Sequence, residues 1–323
     1  MNQNILNHLW KNTEKISPCL FYPAIIQMGE SVKDVLTDGK KQAEVFQYIE
    51  KSYPSPIIIR MSELWCEAAS FGVELSMAER DFPHLGTPVL KTPADYESLQ
   101  VPEVRNEIIT PMIEAVSIAA PALSKPIVAG ITGPYTLASV ICDPTEVMMS
   151  CMMEPDEAKG LMEKVTSFLV DYALAYKNAG AAGIIIAEPS ITMIAPDTAE
   201  EFSNYYIKKI IDAVQDDSFF VIYHNCGAVN PHLDVILSLP ADAFHFGSDV
   251  DLNLALDKAD PSRYVMGNVE PRWFLQKNAP AINEKVKELK VLADLHENFI
   301  ISTGCDLSPA AKAENIDAMF ALE

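Results

Sequence analysis

Eight short runs rich in β-branched and aromatic residues recur along the chain, each followed by a longer stretch with helical spacing, and this alternation restricts the fold to a parallel α/β architecture. Strands are predicted at Cys19–Ile25, Pro56–Met61, Pro126–Thr132, Gly183–Pro189, Phe219–Cys226, Ala243–Gly247, Tyr264–Glu270 and Phe299–Cys305. Helices are predicted at Asp34–Glu50, Asn106–Ala119, Pro144–Ala179, Thr198–Val214, Pro231–Leu237, Asn253–Asp257, Asn278–Leu295 and Pro309–Leu322. Eight such units are the pattern of a (β/α)8 TIM barrel. No Pro/Gly/Ser-rich linker divides the 323 residues, so 1–323 are expected to form one barrel domain. A doubly wound sheet is the competing fold, but the chain lacks a Gly-rich dinucleotide turn after its first strand and a GxxxxGK phosphate loop. Between Glu63 and Glu107 lies FPHLGTPVLKTPADY, too rich in Pro and Gly for one helix. The expected fold is therefore a TIM barrel with an elaborated N-terminal region and loops at its C-terminal face, the face where barrels build active sites.

Charge narrows the partners. A formal net charge of −21 argues against nucleic acid, whose phosphates need clustered Lys and Arg. No apolar run approaches the roughly 18 residues of a membrane span. The opening MNQNILNHLWKNTEK has neither a signal core nor a transit pattern, so a cytoplasmic protein is expected. The six cysteines would then stay reduced and serve packing, metal binding or catalysis.

Two of the predicted strands end in metal-ligand chemistry. The fifth closes FFVIYHNCG, and side chains alternate across a strand, so His224 and Cys226 point the same way at the barrel mouth. The eighth closes IISTGCD and brings Cys305 to the same level. One imidazole and two thiols from different strands suit zinc and leave the fourth tetrahedral position open. Each residue also has an ordinary reading, as a buried thiol or a histidine bonded to backbone. Cys19, Cys66, Cys142 and Cys151 lack such partners and are read as core residues. Glu188, ending the fourth strand in IIIAEPS, is a candidate fourth ligand, partner of His224 or substrate contact, or else a solvated acid. Asn268 and Glu270 in MGNVEP are candidate substrate contacts or turn caps.

GPYTLAS (Gly133–Ser139), HNCG (His224–Gly227), MGNVEP (Met266–Pro271) and STGCDLSP (Ser302–Pro309) together resemble the uroporphyrinogen decarboxylase superfamily, in the right order over most of the chain. Its decarboxylases carry an Arg-rich MRQAGRY-like segment and an Asp in an FSDIL-like strand end. Here the matching stretches read IIQMGESV (Ile25–Val32), without Arg, and MSELW, with Glu63 at the Asp place. Where those enzymes have the His of an LGHG-like motif, this chain has Cys305. These features resemble the other branch, the methylcorrinoid-dependent, coenzyme M-type zinc methyltransferases. That resemblance implies methyl transfer from a methylated corrinoid protein to a small acceptor. The acceptor would be a thiol held by zinc on His224, Cys226 and Cys305, with Glu188 and Asn268 as catalytic residues. The corrinoid would come on the partner, since no DxHxxG motif is present. Tetrahydrofolate is the alternative acceptor. Arg60 and Arg272 are the basic residues near strand ends that could meet a sulfonate, or else serve as surface or core-edge salt-bridge residues. Two other classes stay open: a lyase acting on a carboxylate through Glu63 or Glu188, and a carrier or sensor without turnover.

Overall fold

The computed structural model describes residues 3–11, 13 and 15–321. Nine strands occur among them: β1 (Ile58–Ile59), β2 (Leu75–Ser76), β3 (His84–Leu85), β4 (Ile127–Thr132), β5 (Gly183–Ala187), β6 (Phe220–Asn225), β7 (Ala243–Phe246), β8 (Tyr264–Val269) and β9 (Phe299–Thr303). Seven of them make one parallel sheet in the order β1-β4-β5-β6-β7-β8-β9, while β2 and β3 form a separate antiparallel hairpin. The sheet's two edges are joined by one irregular segment. Ile16 makes a parallel bridge to Ile301 of β9, and Cys19 makes one to Ile59 of β1.

Alternation along the strands separates two cores. In β6, Phe220 and Ile222 join an inner cluster with Ile59, Val128, Ile185, Met266 and Ile300, while Val221 and Tyr223 join the outer cluster beneath the helices. Trp10 seals the inner cluster, with its ring centroid 4.8 Å from that of Tyr264 and its Nε1 donating to Ser17 Oγ at 3.1 Å. Each such apolar side chain contributes roughly 1.5–3 kcal/mol by leaving water.

The first predicted strand is a correction. Cys19–Ile25 is not a strand: Phe21–Gln27 is a helix, and the sheet is closed by the residues just before it. Phe21, Tyr22, Ala24 and Ile25 are all buried, so the apolar run reflects burial on several sides of a helix. Pro23 sits in the first turn, where its missing N–H leaves no bond unmade. Helix ends moved as well. The predicted Asp34–Glu50 is two helices, Val32–Leu36 and Gly39–Ser52, the second capped by Asp38, whose carboxylate accepts from the amides of Lys40 and Lys41. Pro155 divides Pro144–Ala179 into Pro144–Met153 and Pro155–Asn178, because the residue before a proline is pushed out of helical geometry. The Thr198–Val214 stretch holds a π-helical turn, Glu200–Asn204, and the last helix spans only Ala313–Phe320; Leu322 lies outside the described residues. The Glu63–Glu107 stretch holds a short helix, Leu64–Ser70, followed by the β2–β3 hairpin.

That short helix is tied to the sheet by a buried carboxylate. Glu67 accepts from the Thr132 amide at 2.7 Å and from the Thr132 hydroxyl, at the end of β4. Burial raises its pKa from 4.5 to about 7, against the lowering by Thr132 and with a further push from Glu63. The folded chain therefore holds this proton more tightly than the unfolded chain, and the associated stability is lost as pH rises through that window. In Glu67→Gln the contribution should vanish. Urea unfolding at pH 5 and pH 8 should show the wild type losing about 3 kcal/mol more than the variant between the two. Parallel pH profiles would rule this out.

Candidate metal centre

His224 sits at the end of β6 and Cys226 just beyond it, while Cys305 follows β9 by two residues. The structure brings one ligand atom from each within 4.8 Å of the others. Strand alternation aims His224 inward above Ile222, and Cys226 follows two residues on. The turn after β7 must pass close by: a Cβ added at Gly247 would lie 2.5 Å from the Cys226 carbonyl oxygen, so only glycine fits. Of the six cysteines, Cys226 and Cys305 are the two partly exposed ones, and the other four are buried.

The donor set suits a soft divalent metal. His224 is buried, and its Nε2 has no hydrogen-bond partner. An orphaned buried nitrogen costs about 1–3 kcal/mol, a penalty that a metal ion would remove. Cys226 is drawn well below the usual thiol range, chiefly by a hydrogen bond from Cys305, while burial opposes the shift. Cys305 is pushed up by that same hydrogen bond and by burial. The two thiols shift in opposite directions, and a metal ligated by both would displace the proton that Cys305 retains.

A second histidine, absent from the sequence expectations, completes the site from below. His245 on β7 pairs in register with His224, and the two Nδ1 atoms are 2.7 Å apart. His245 Nε2 meets Ser302 Oγ at 2.9 Å, and that hydroxyl donates to the Ser17 carbonyl at 2.8 Å. Burial, with His224 adjacent, holds His245 well below the usual imidazole range. Its signal was available in AFHFG, where alternation puts His245 on the inner face. Asp306 was also missed: its Oδ1 is buried without a partner, next to Cys305.

The other predicted residues have structural partners. Glu188 is fully buried, and its carboxylate accepts from the Tyr135 amide (2.9 Å), the Thr136 amide (2.8 Å) and the Ser203 hydroxyl (2.7 Å). It caps the helix Pro134–Ile141 and does not belong to the three-ligand group, which corrects the expectation of a ligand or mouth-facing acid. Its backbone still braces the site: Glu188 N donates to the His224 carbonyl at 2.9 Å. Asn268 donates from Nδ2 to the Gly247 and Val250 carbonyls at 3.1 and 2.9 Å, fixing the turn after β7. Glu270 is paired with Arg272 and accepts from Ser248. Glu63 is buried, with Oε1 on Arg60 and Oε2 accepting from Tyr22 (2.6 Å) and Trp65. Arg60, 1% exposed, also donates to Gln42.

Fold and site together define an α/β protein with a curled parallel sheet and a His/Cys/Cys cluster at its strand ends. The chain belongs to the uroporphyrinogen decarboxylase (URO-D) family, whose sequence profile matches residues 2–322. It is 25% identical over 264 residues to a methylcobamide:CoM methyltransferase of Methanosarcina acetivorans, covering 80% of this chain and 76% of that protein. It is 24% identical over 229 residues to a uroporphyrinogen decarboxylase of Chlamydia caviae, covering 69% and 68%. Among solved structures, a methyltransferase from Methanosarcina mazei superposes with a TM-score of 0.84 at 21% identity, over 99% of this chain and 97% of that one. Among the described residues no helix is long and apolar enough to cross a membrane.

Glu188→Ala separates the cap from a ligand role. It leaves two helix-terminal amides and a hydroxyl unpaired, so chemical denaturation should show a loss of about 2–4 kcal/mol. Metal content by elemental analysis should stay at the wild-type level. A variant of normal stability that loses its metal would return Glu188 to the ligand set.

Proposed function

We propose that the chain is a zinc-dependent methyltransferase that moves a methyl group from a methylated corrinoid protein to a small acceptor, a thiol such as coenzyme M. The observation that carries this reading is the buried, unpartnered His224 Nε2 within 4.8 Å of two cysteine sulfurs. Relatives of both activities match at nearly equal identity, so overall likeness does not separate the branches and the site residues must. In this reading His224, Cys226 and Cys305 hold zinc, which when bound keeps an incoming thiol deprotonated at neutral pH.

The chain's own residues do the rest. Cys226 and Cys305 ligate as thiolates with release of protons, and His224 offers Nε2. Gly247 lets the turn after β7 approach Cys226, and Asn268 holds that turn in place. The acceptor sulfur attacks the methyl carbon in line: the S–C bond forms, the Co–C bond breaks, and the electron pair leaves with cobalt as Co(I). The protein contributes by generating the thiolate and by aligning sulfur with methyl. Asn268 Oδ1 is the substrate contact, while Glu188 acts by positioning β5 and the His224 carbonyl.

The charged groups bear on the acceptor. Arg60 and Arg272 are already paired with Glu63 and Glu270, so a sulfonate would have to draw Arg272 from its partner. Tetrahydrofolate is the alternative acceptor. The lyase reading gains nothing from Glu63, whose two oxygens are held by Arg60, Tyr22 and Trp65. We further read residues 1–323 as one (β/α)8 barrel domain, with Ile16–Cys19 as its irregular eighth stave, acting in the cytoplasm.

Cys305→Ser tests the centre, because a hydroxyl is a poor ligand for a soft metal. Elemental analysis should find about one zinc per wild-type chain and little in the variant. Demethylation of methylcobalamin with thiols, followed by its visible spectrum, should be lost while circular dichroism is unchanged. Full metal and activity in Cys305→Ser would sink the assignment.

A further inference from the structure

We propose that His245 is a positioning residue that, with Ser302, fixes the tautomer of His224 so that its Nε2 lone pair faces the metal position before any metal arrives. The inference rests on reading His224 as a ligand and adds a residue to that site.

Hydrogen-bond direction settles every proton in the chain of contacts. A backbone carbonyl can only accept, so Ser302 Oγ donates to the Ser17 carbonyl at 2.8 Å. Its one hydrogen being used, Ser302 Oγ must accept from His245 Nε2 at 2.9 Å, which puts a hydrogen on that nitrogen. At the other end, His224 Nδ1 lies 3.1 Å from the His245 carbonyl, so His224 Nδ1 is also a donor. The two Nδ1 atoms, 2.7 Å apart, need one donor and one acceptor. The single hydrogen on His224 Nδ1 is shared between the His245 carbonyl and the His245 Nδ1 lone pair as a three-centre bond, so His245 is neutral. With its hydrogen on Nδ1, a neutral His224 keeps a lone pair on Nε2, the buried atom without a partner.

The relay runs across the inner face of the sheet, from β6 through β7 to β9 and on to the closing segment. His224 and His245 are cross-strand partners, and the Ser17 backbone N–H donates to the Ile301 carbonyl at 2.9 Å. Every member except Ser17 lies on a regular strand, and His245, Ser302 and Ser17 are fully buried. Metal-bound histidines usually donate their second N–H to a carboxylate, carbonyl or water. Here the principal acceptor is an uncharged imidazole. It orients the ligand without adding negative charge, so a divalent ion with His224 and two thiolates would remain formally neutral.

The test uses the full-length chain. In the metal-free wild type, nitrogen-15 NMR of labelled histidines should show His224 with its hydrogen on Nδ1 and His245 with its hydrogen on Nε2, assigned through the wild-type backbone connectivities. Zinc affinity is then read by competition with a chromophoric chelator. His245→Phe keeps a ring and the backbone carbonyl of position 245 but loses the imidazole acceptor, and should weaken zinc binding 10–100-fold. His245→Asn places an oxygen near the lost Nδ1 and should recover most of that loss. Thermal melts of both variants separate this effect from general destabilisation. The relay is overturned if metal-free His224 carries its hydrogen on Nε2, or if a folded His245→Phe binds zinc as tightly as the wild type. The NMR measurement stands even if a variant fails to fold. A wild type that takes up no zinc would overturn the metal centre, while the NMR pattern decides the relay separately.

Discussion

Side chains alternate across a β-strand, and in a curled parallel sheet every second residue therefore faces the same enclosed interior. In this chain that interior is graded along the strands. Phe220, Ile222, Met266 and Ile300 fill its floor, and His224, His245 and Ser302 follow on the same faces nearer the strand ends. The gradient places polar chemistry on a rigid apolar support. It also places it where water is excluded, so each donor and acceptor must find a partner or bind something.

The site follows from that requirement. Most buried polar groups near the strand ends are satisfied within the chain. Glu188 caps a helix, Glu67 holds Thr132, Glu63 balances Arg60, and Asn268 fixes a turn. His224 Nε2 is left over, beside the two cysteine sulfurs. A centre of this kind is stiff, because the groups around it are already committed to the fold.

Much of this was legible in the sequence because it depends on local pattern. Seven of eight strands and the helices between them follow from β-branched runs and helical spacing, and HNCG with GCD put two thiols and an imidazole at strand ends. The first strand was misplaced because FYPAII is apolar on all sides, and an apolar run alone does not distinguish a strand from a buried helix. Glu188 was misread because a strand-end acid looks the same in sequence whether it faces a substrate or the start of a helix 52 residues earlier. His245 was overlooked because its partner is 21 residues away and only the register of β6 against β7 brings the two rings together.

The sequence by itself thus determined the order of elements, the inward-facing positions and the chemistry available at the strand ends, since period-two and period-3.6 patterns are written in neighbouring residues. Tertiary structure alone decided how the sheet closes through Ile16 and Cys19, which carboxylates are used internally, and which nitrogen of His224 stays free. Those outcomes depend on strand register and on hydrogen bonds between residues far apart in the chain, and no local pattern encodes either.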